Sequence, residues 1–206
     1  MVVWGTFGVE RISLDTEGDG VQYIPDTDID NPFCLDFDAD GNLYVGTADG
    51  GFWRRNSDGS VLQILSNQGW GAPTRLNGDY VYWYTRSDSG SNGLYRAPLP
   101  AATSNDTIAT GDIETILKTE EFSPSGLAVD SFGNVYLAVG WGKTMLTRIT
   151  PSGDVEELFE LPTENPNKLT FHGDVLYITQ GNQGNQVWSL YLGDGYGESA
   201  TPRYMW

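Results

Sequence analysis

Asp36, Asp38 and Asp40 alternate through LDFDADGNLYVG, residues 35–46, and Gly41 follows them, which is the order of carboxylates that opens a helix-loop-helix calcium site. That chemistry also needs a carboxylate at the twelfth loop position, where Thr47 stands. A second ladder, Asp26, Asp28 and Asp30 in PDTDID, reads either as oxygen ligands for calcium or as a solvated acidic loop. Cys34 lies in the apolar stretch PFCLDF and reads as a small buried hydrophobe, since a reactive thiol needs a base beside it. His172 is the only histidine and no GxSxG occurs, so nucleophilic hydrolysis by a serine triad lacks its parts. GWGKT, residues 140–144, ends as a phosphate loop does, but Leu137 occupies the position of that loop's first glycine. No catalytic constellation is complete.

The elements that must position these groups come from a repeat. NPFCLDFDADGNLYVG from Asn31, APTRLNGDYVYWY from Ala72, SPSGLAVDSFGNVYLAVG from Ser123 and NPNKLTFHGDVLYITQG from Asn165 share one pattern. Their turn glycines Gly41, Gly78, Gly133 and Gly173 stand 37, 55 and 40 residues apart, the long interval holding an insertion, Pro98 to Asp112, expected as an irregular surface loop. Each repeat alternates short apolar strands with Gly, Asn and Asp turns, at the spacing of an antiparallel meander. Four strands, a to d, in roughly 40 residues make one β-propeller blade. In the third repeat the strands are expected near Gly126–Val129, Val135–Val139, Met145–Thr150 and Val155–Phe159.

The fold class is therefore all-β: a propeller of four-stranded antiparallel blades, read as five-bladed, with no helix required. One domain spans 1–206, with a partial blade at 1–30 and blades at about 31–70, 71–120, 121–162 and 163–206. Trp4 and Gly5 align with Trp141 and Gly142, so the chain opens inside a blade, and VWSLYLG places its other end inside one too. Closure by strands from both termini is the expectation, with completion by another chain as the alternative.

The segments LDFDADGNLYVGTADGGFWRRNSDGS and PSGLAVDSFGNVYLAVGWGKTMLTRITPSGDV resemble the repeats of NHL and gluconolactonase-like, or senescence-marker-protein-like, propellers. The resemblance covers about residues 31–192 and implies blades more than activity, because this superfold hosts hydrolases, lyases and binding scaffolds. For a lactonase it implies a divalent cation held by a Glu from an EGP-type segment, by Asn residues from PNG-type entries to strand a, and by an Asp. Only NPNKL keeps that Asn, as Asn167; the other entries put Phe33, Thr74 and Ser125 there, and no EGP occurs. His172 falls in the a–b turn FHGD, where a solvated turn residue is expected.

Composition narrows the partners. With 11 Lys and Arg against 28 Asp and Glu the net charge is -17, which repels nucleic acid. No run of apolar residues is long enough to span a bilayer, and MVVWGTFGVERISLD carries no secretory signal pattern; a mature or virally encoded chain would lack one as well, leaving extracellular and virion-associated settings open. Asn105 to Thr107 fits a glycosylation acceptor only if the chain is exported. On a propeller the b–c and d–a loops share one face, which would collect Trp4, Phe33, Trp70, Trp141, Asn167 and Gln183, with Asp26, Asp28 and Asp30 nearby. Aromatics beside amides suit a protein or glycan partner. The expected function is thus a non-enzymatic binding or structural module, a decorating part of a larger extracellular or viral assembly, without catalytic residues or a required cofactor. The alternative is a divergent gluconolactonase-like, metal-dependent hydrolase built around Asn167.

Overall fold

The computed structural model describes residues 2–5, 8–11, 21–25, 28–66, 73–85, 92–119, 124, 126–139, 144–161, 166–180 and 186–193. These residues form five antiparallel sheets, each a meander in chain order. The first contains β1 (Val2–Gly5), β2 (Gly8–Arg11) and β3 (Val21–Pro25). The second contains β4 (Pro32–Phe37), β5 (Leu43–Thr47), β6 (Phe52–Arg55) and β7 (Val61–Leu65). The third contains β8 (Thr74–Asn77), β9 (Tyr80–Thr85), β10 (Gly93–Pro98) and β11 (Glu114–Lys118). The fourth contains β12 (Gly126–Val129), β13 (Val135–Val139), β14 (Met145–Ile149) and β15 (Val155–Glu160), within a residue of the expected bounds. The fifth contains β16 (Pro166–His172), β17 (Val175–Gln180) and β18 (Val187–Tyr191). The arrangement is a β-propeller.

The strands β1, β4, β8, β12 and β16 follow one another around the interior, each against the next. β13 also touches β16, and β1 meets β4 in the same way, as a strand b would; the first sheet has three strands among the described residues. The closing strand expected from the C-terminal tail falls on residues 194–206, outside the described residues. β5 and β13 are buried along their whole length because both sheet faces are covered, and their sequences LYVGT and VYLAV accordingly run apolar without alternation. The outer strands β11 and β15 are largely exposed, whereas β7 has no exposed residue, its Ile64 carbonyl accepting from Ile108 of the insertion. Tyr44, Val129 and Tyr136 are core, as expected, whereas Phe37 and Tyr177 are only half-buried.

The a–b hairpins come in two forms. Gly78 and Gly173 open two-residue loops with φ of 57 and 53°, a first-position glycine as in a type II′ turn. The other two loops are longer and are fastened by one aspartate each. Asp130 Oδ1 accepts the backbone N–H groups of Phe132 and Asn134, both at 2.9 Å, while Oδ2 accepts Asn134 Nδ2 at 2.8 Å and the Tyr136 hydroxyl at 3.1 Å. Asp38 repeats this clasp: Oδ1 accepts from Asp40 and Asn42 N–H at 3.0 and 2.8 Å, Oδ2 from Asn42 Nδ2 at 2.8 Å and Tyr44 at 3.2 Å. The middle aspartate of DFDADG thus spends both oxygens on its own turn. Asp36 is engaged elsewhere, accepting the N–H of Leu76 on the next blade at 3.0 Å.

The insertion is irregular apart from a short 3-10 turn, Thr110–Asp112, a departure from the helix-free expectation. It is nevertheless tied down. Ile108 is buried and its N–H donates to Ile64 O at 2.8 Å. Arg54, fully buried, donates to Pro100 O at 3.2 Å, to Ala101 O at 3.0 Å and to Ser104 O. A guanidinium satisfies several carbonyls at once because its donors form a fixed planar fork.

Three outcomes follow. Asp130→Ala strands the buried Tyr136 hydroxyl and Asn134 amide and should cost about 2–4 kcal/mol in urea unfolding, more than the half-exposed Asp38→Ala. Arg54→Lys removes the fork, and limited proteolysis should then cut within residues 98–112 while the native chain resists. Burial, then the Asp38 charge, pushes the Tyr44 phenol from 10.0 up to about 12. The folded state holds that proton more tightly, so the stability it gives is intact below pH 10.0 and lost as pH rises through about 12. Alkaline unfolding should be less steep in Tyr44→Phe.

Candidate functional site

The d–a and b–c connections share the end of the propeller at which the inner strands begin. Each repeat carries a leucine at its fifth position, on the inner strand, Leu35, Leu76, Leu127 and Leu169, packed toward the preceding blade. The residue before each leucine lies on the opposite sheet face, by the two-residue period of a strand. Those residues are Cys34, Arg75, Gly126 and Lys168, all at one level just inside the mouth.

Two of them reach past neighbouring strands. Arg75 on β8 donates through one terminal nitrogen to Thr74 O at 3.2 Å and through the other to Leu169 O on β16 at 3.1 Å, beyond the intervening β12. Gly126 lets β12 lie close against β16, since a Cβ at that position would meet Leu169 Cδ1 at 2.5 Å and Asn167 O at 3.1 Å. Lys168 on β16 donates from Nζ to Phe33 O on β4 at 2.9 Å, and the ammonium sits 4.4 Å from the Phe33 ring centroid. β4 and β16 are not adjacent around the ring, so this bond is a chord across its interior.

The chords gather charge in a confined place. Desolvation lowers the Lys168 ammonium below its ordinary value of 10.5; the nearby Cys34 works against that shift and Arg75 works with it. Arg75 and Cys34 are buried and Lys168 half-buried. Cys34 is packed as expected: its Sγ would be 2.5 Å from a Cβ at Gly46, and it lies beside an amine that sequence spacing did not place there.

Of the residues expected on this face, Phe33 lies at the mouth over Lys168, and Asn167, next to it in β16, is exposed. Trp4 lies in β1, paired with Val9. Trp70, Trp141, Gln183 and Asp26 fall outside the described residues. Asp28 and Asp30 are exposed while Ile29 between them is buried, so Asp28 and Asp30 face solvent. Among the described residues no three His, Cys, Asp or Glu side chains converge. His172 is exposed at the far end of β16 from the mouth, and Asn105 is exposed in the insertion. Arg75 and Lys168 were not singled out from sequence, although the column C, R, G, K beneath the entries NPFCL, APTRL, SPSGL and NPNKL carries the signal.

Among the described residues no helix is long and apolar enough to cross a membrane. No curated protein matches the chain. Among solved structures, one in a nidogen/laminin complex is similar at 16% identity, over 92% of this chain and 73% of that one, with a TM-score of 0.71. Regucalcin from Agrobacterium tumefaciens, described as a calcium-binding protein, is similar at 17% identity, over 100% of this chain and 76% of that one, with a TM-score of 0.70. A gluconolactonase from Xanthomonas campestris is similar at 17% identity, over 93% of this chain and 67% of that one, with a TM-score of 0.71. At such identities the likeness is one of fold. A family model described as SMP-30/Gluconolactonase/LRE-like region matches residues 31–182, about three quarters of the sequence, and the chain belongs to that family.

Proposed function

We propose that this chain is a non-enzymatic binding propeller that presents its mouth face, with Phe33 and Asn167 among the contacts, to a protein or glycan partner. The observation that carries this reading is the pair of chords at Arg75 and Lys168. A divalent cation needs several converging oxygen ligands. Directly beneath the retained Asn167, this chain instead holds a guanidinium and an ammonium, whose charge opposes a cation in a partly desolvated site. A nidogen/laminin complex among the similar folds supports a protein as one class of partner. The aromatic residues Trp4, Trp70 and Trp141 belong to the same proposed face on sequence grounds. A place in a larger extracellular or viral assembly accords with the acidic surface and with the bare catalytic inventory.

Family membership and the gluconolactonase neighbour favour a second reading, a divergent metal-dependent hydrolase around Asn167. The two readings separate in one assay. The purified chain is offered gluconolactone and other sugar lactones with calcium, magnesium, manganese or zinc, and then with chelator. Hydrolysis at the uncatalysed rate under every condition is expected. Metal-dependent turnover that vanishes in Asn167→Ala would sink the binding proposal. On a glycan and protein-domain array, Phe33→Ala should weaken whichever partner the native chain retains.

A further inference from the structure

We infer that the mouth holds a carboxylate subsite, in which the Lys168 ammonium, flanked by Arg75, receives the acidic group of a uronate-type sugar. The inference rests on the reading of the mouth as a binding face and names the ligand group that face would take. The ammonium has three donors, of which one is committed to Phe33 O at 2.9 Å. Cys34 and Arg75 lie near it, and among the described residues no carboxylate forms an ion pair with it. A cation removed from water is costly to leave unpaired, and an incoming carboxylate offsets that cost while using the two donors not committed to Phe33 O. Inorganic phosphate has four oxygens and a higher charge to satisfy, and fits this donor count less well.

The surroundings select a sugar acid over a bare carboxylate. The Phe33 ring beside the ammonium offers an apolar face of the kind that sugar C–H groups pack against, and exposed Asn167 offers an amide for hydroxyls. The net charge of -17 repels anions at long range, so recognition depends on short contacts and not on steering.

Calorimetry of the full chain with galacturonate, galactose, acetate and inorganic phosphate tests this. Galacturonate should bind at least about tenfold more tightly than neutral galactose, the worth of one charge-assisted hydrogen bond. Acetate and phosphate should be weaker than galacturonate. Lys168→Met should abolish the preference, and Lys168→Arg should keep most of it. Equal affinity for galactose, phosphate binding as tight as galacturonate, or a preference surviving in Lys168→Met would overturn the subsite. A footprint on the native chain avoids dependence on a variant's folding: galacturonate should slow acylation of Lys168 but not of exposed Lys118, and galactose should slow neither. Unprotected Lys168 at saturating galacturonate would overturn the inference. A partner bound at the mouth equally well by Lys168→Met would overturn the subsite but leave the binding reading standing, whereas metal-dependent lactone turnover would remove that reading itself.

Discussion

Each blade lends one leucine to the blade before it, and the ring depends on that exchange. Leu76 of β8 packs among Tyr44, Phe52 and Ile64 of the second sheet; Leu127 of β12 among Tyr82, Tyr84 and Leu94 of the third; Leu169 of β16 among Ala128, Tyr136 and Leu146 of the fourth. Leu35 closes the series against Val9 and Ile24. Burying one such side chain is worth about 1.5–3 kcal/mol, and each does so between two sheets that are both incomplete cores alone. Because the leucine commits one face of strand a to the previous blade, the residue before it must turn the other way. That alternation put Cys34, Arg75, Gly126 and Lys168 at one level, and the site is a consequence of the packing.

The blades were legible for the same reason. A meander repeats its turn glycines and its apolar strands at fixed intervals, and these are local signals: Gly41, Gly78, Gly133 and Gly173 all adopt positive φ, at 82, 57, 80 and 53°. Local, too, is the Asp clasp. DADGNLY and DSFGNVY look like ion ligands because a hairpin that fastens its own N–H groups uses the same carboxylate and the same glycine that a calcium loop uses. What separates the two cases is where the oxygens point, and in Asp38 and Asp130 they point inward, at Asn42 and Tyr44 and at Asn134 and Tyr136.

The mouth was half legible. Phe33 and Asn167 stand out in a column of strand entries, since the comparison there is between repeats. The bonds from Arg75 to Leu169 and from Lys168 to Phe33 join residues 94 and 135 positions apart, and nothing local in either partner announces them. Arg54 is similar: its hold on Pro100, Ala101 and Ser104 makes an insertion that reads as an irregular surface loop into a strap with a buried isoleucine near its end. Chords and straps of this kind depend on how the blades sit around the interior, which periodicity predicts in kind but not in register.

The exchange of leucines also explains how one architecture can carry opposite chemistries. The blade-to-blade packing fixes the backbone of the inner strands and turns the residue before each leucine toward the interior, where its size and charge set what the mouth contains. With small or acidic residues in that column a propeller mouth can gather oxygen ligands around a cation. Here Arg75 and Lys168 occupy it, Gly126 lets β12 and β16 approach closely, and the interior is crossed by donors. Donors that end on backbone carbonyls hold the strands at a fixed separation while keeping their charge. A mouth built that way is braced by the same cationic side chains that line it.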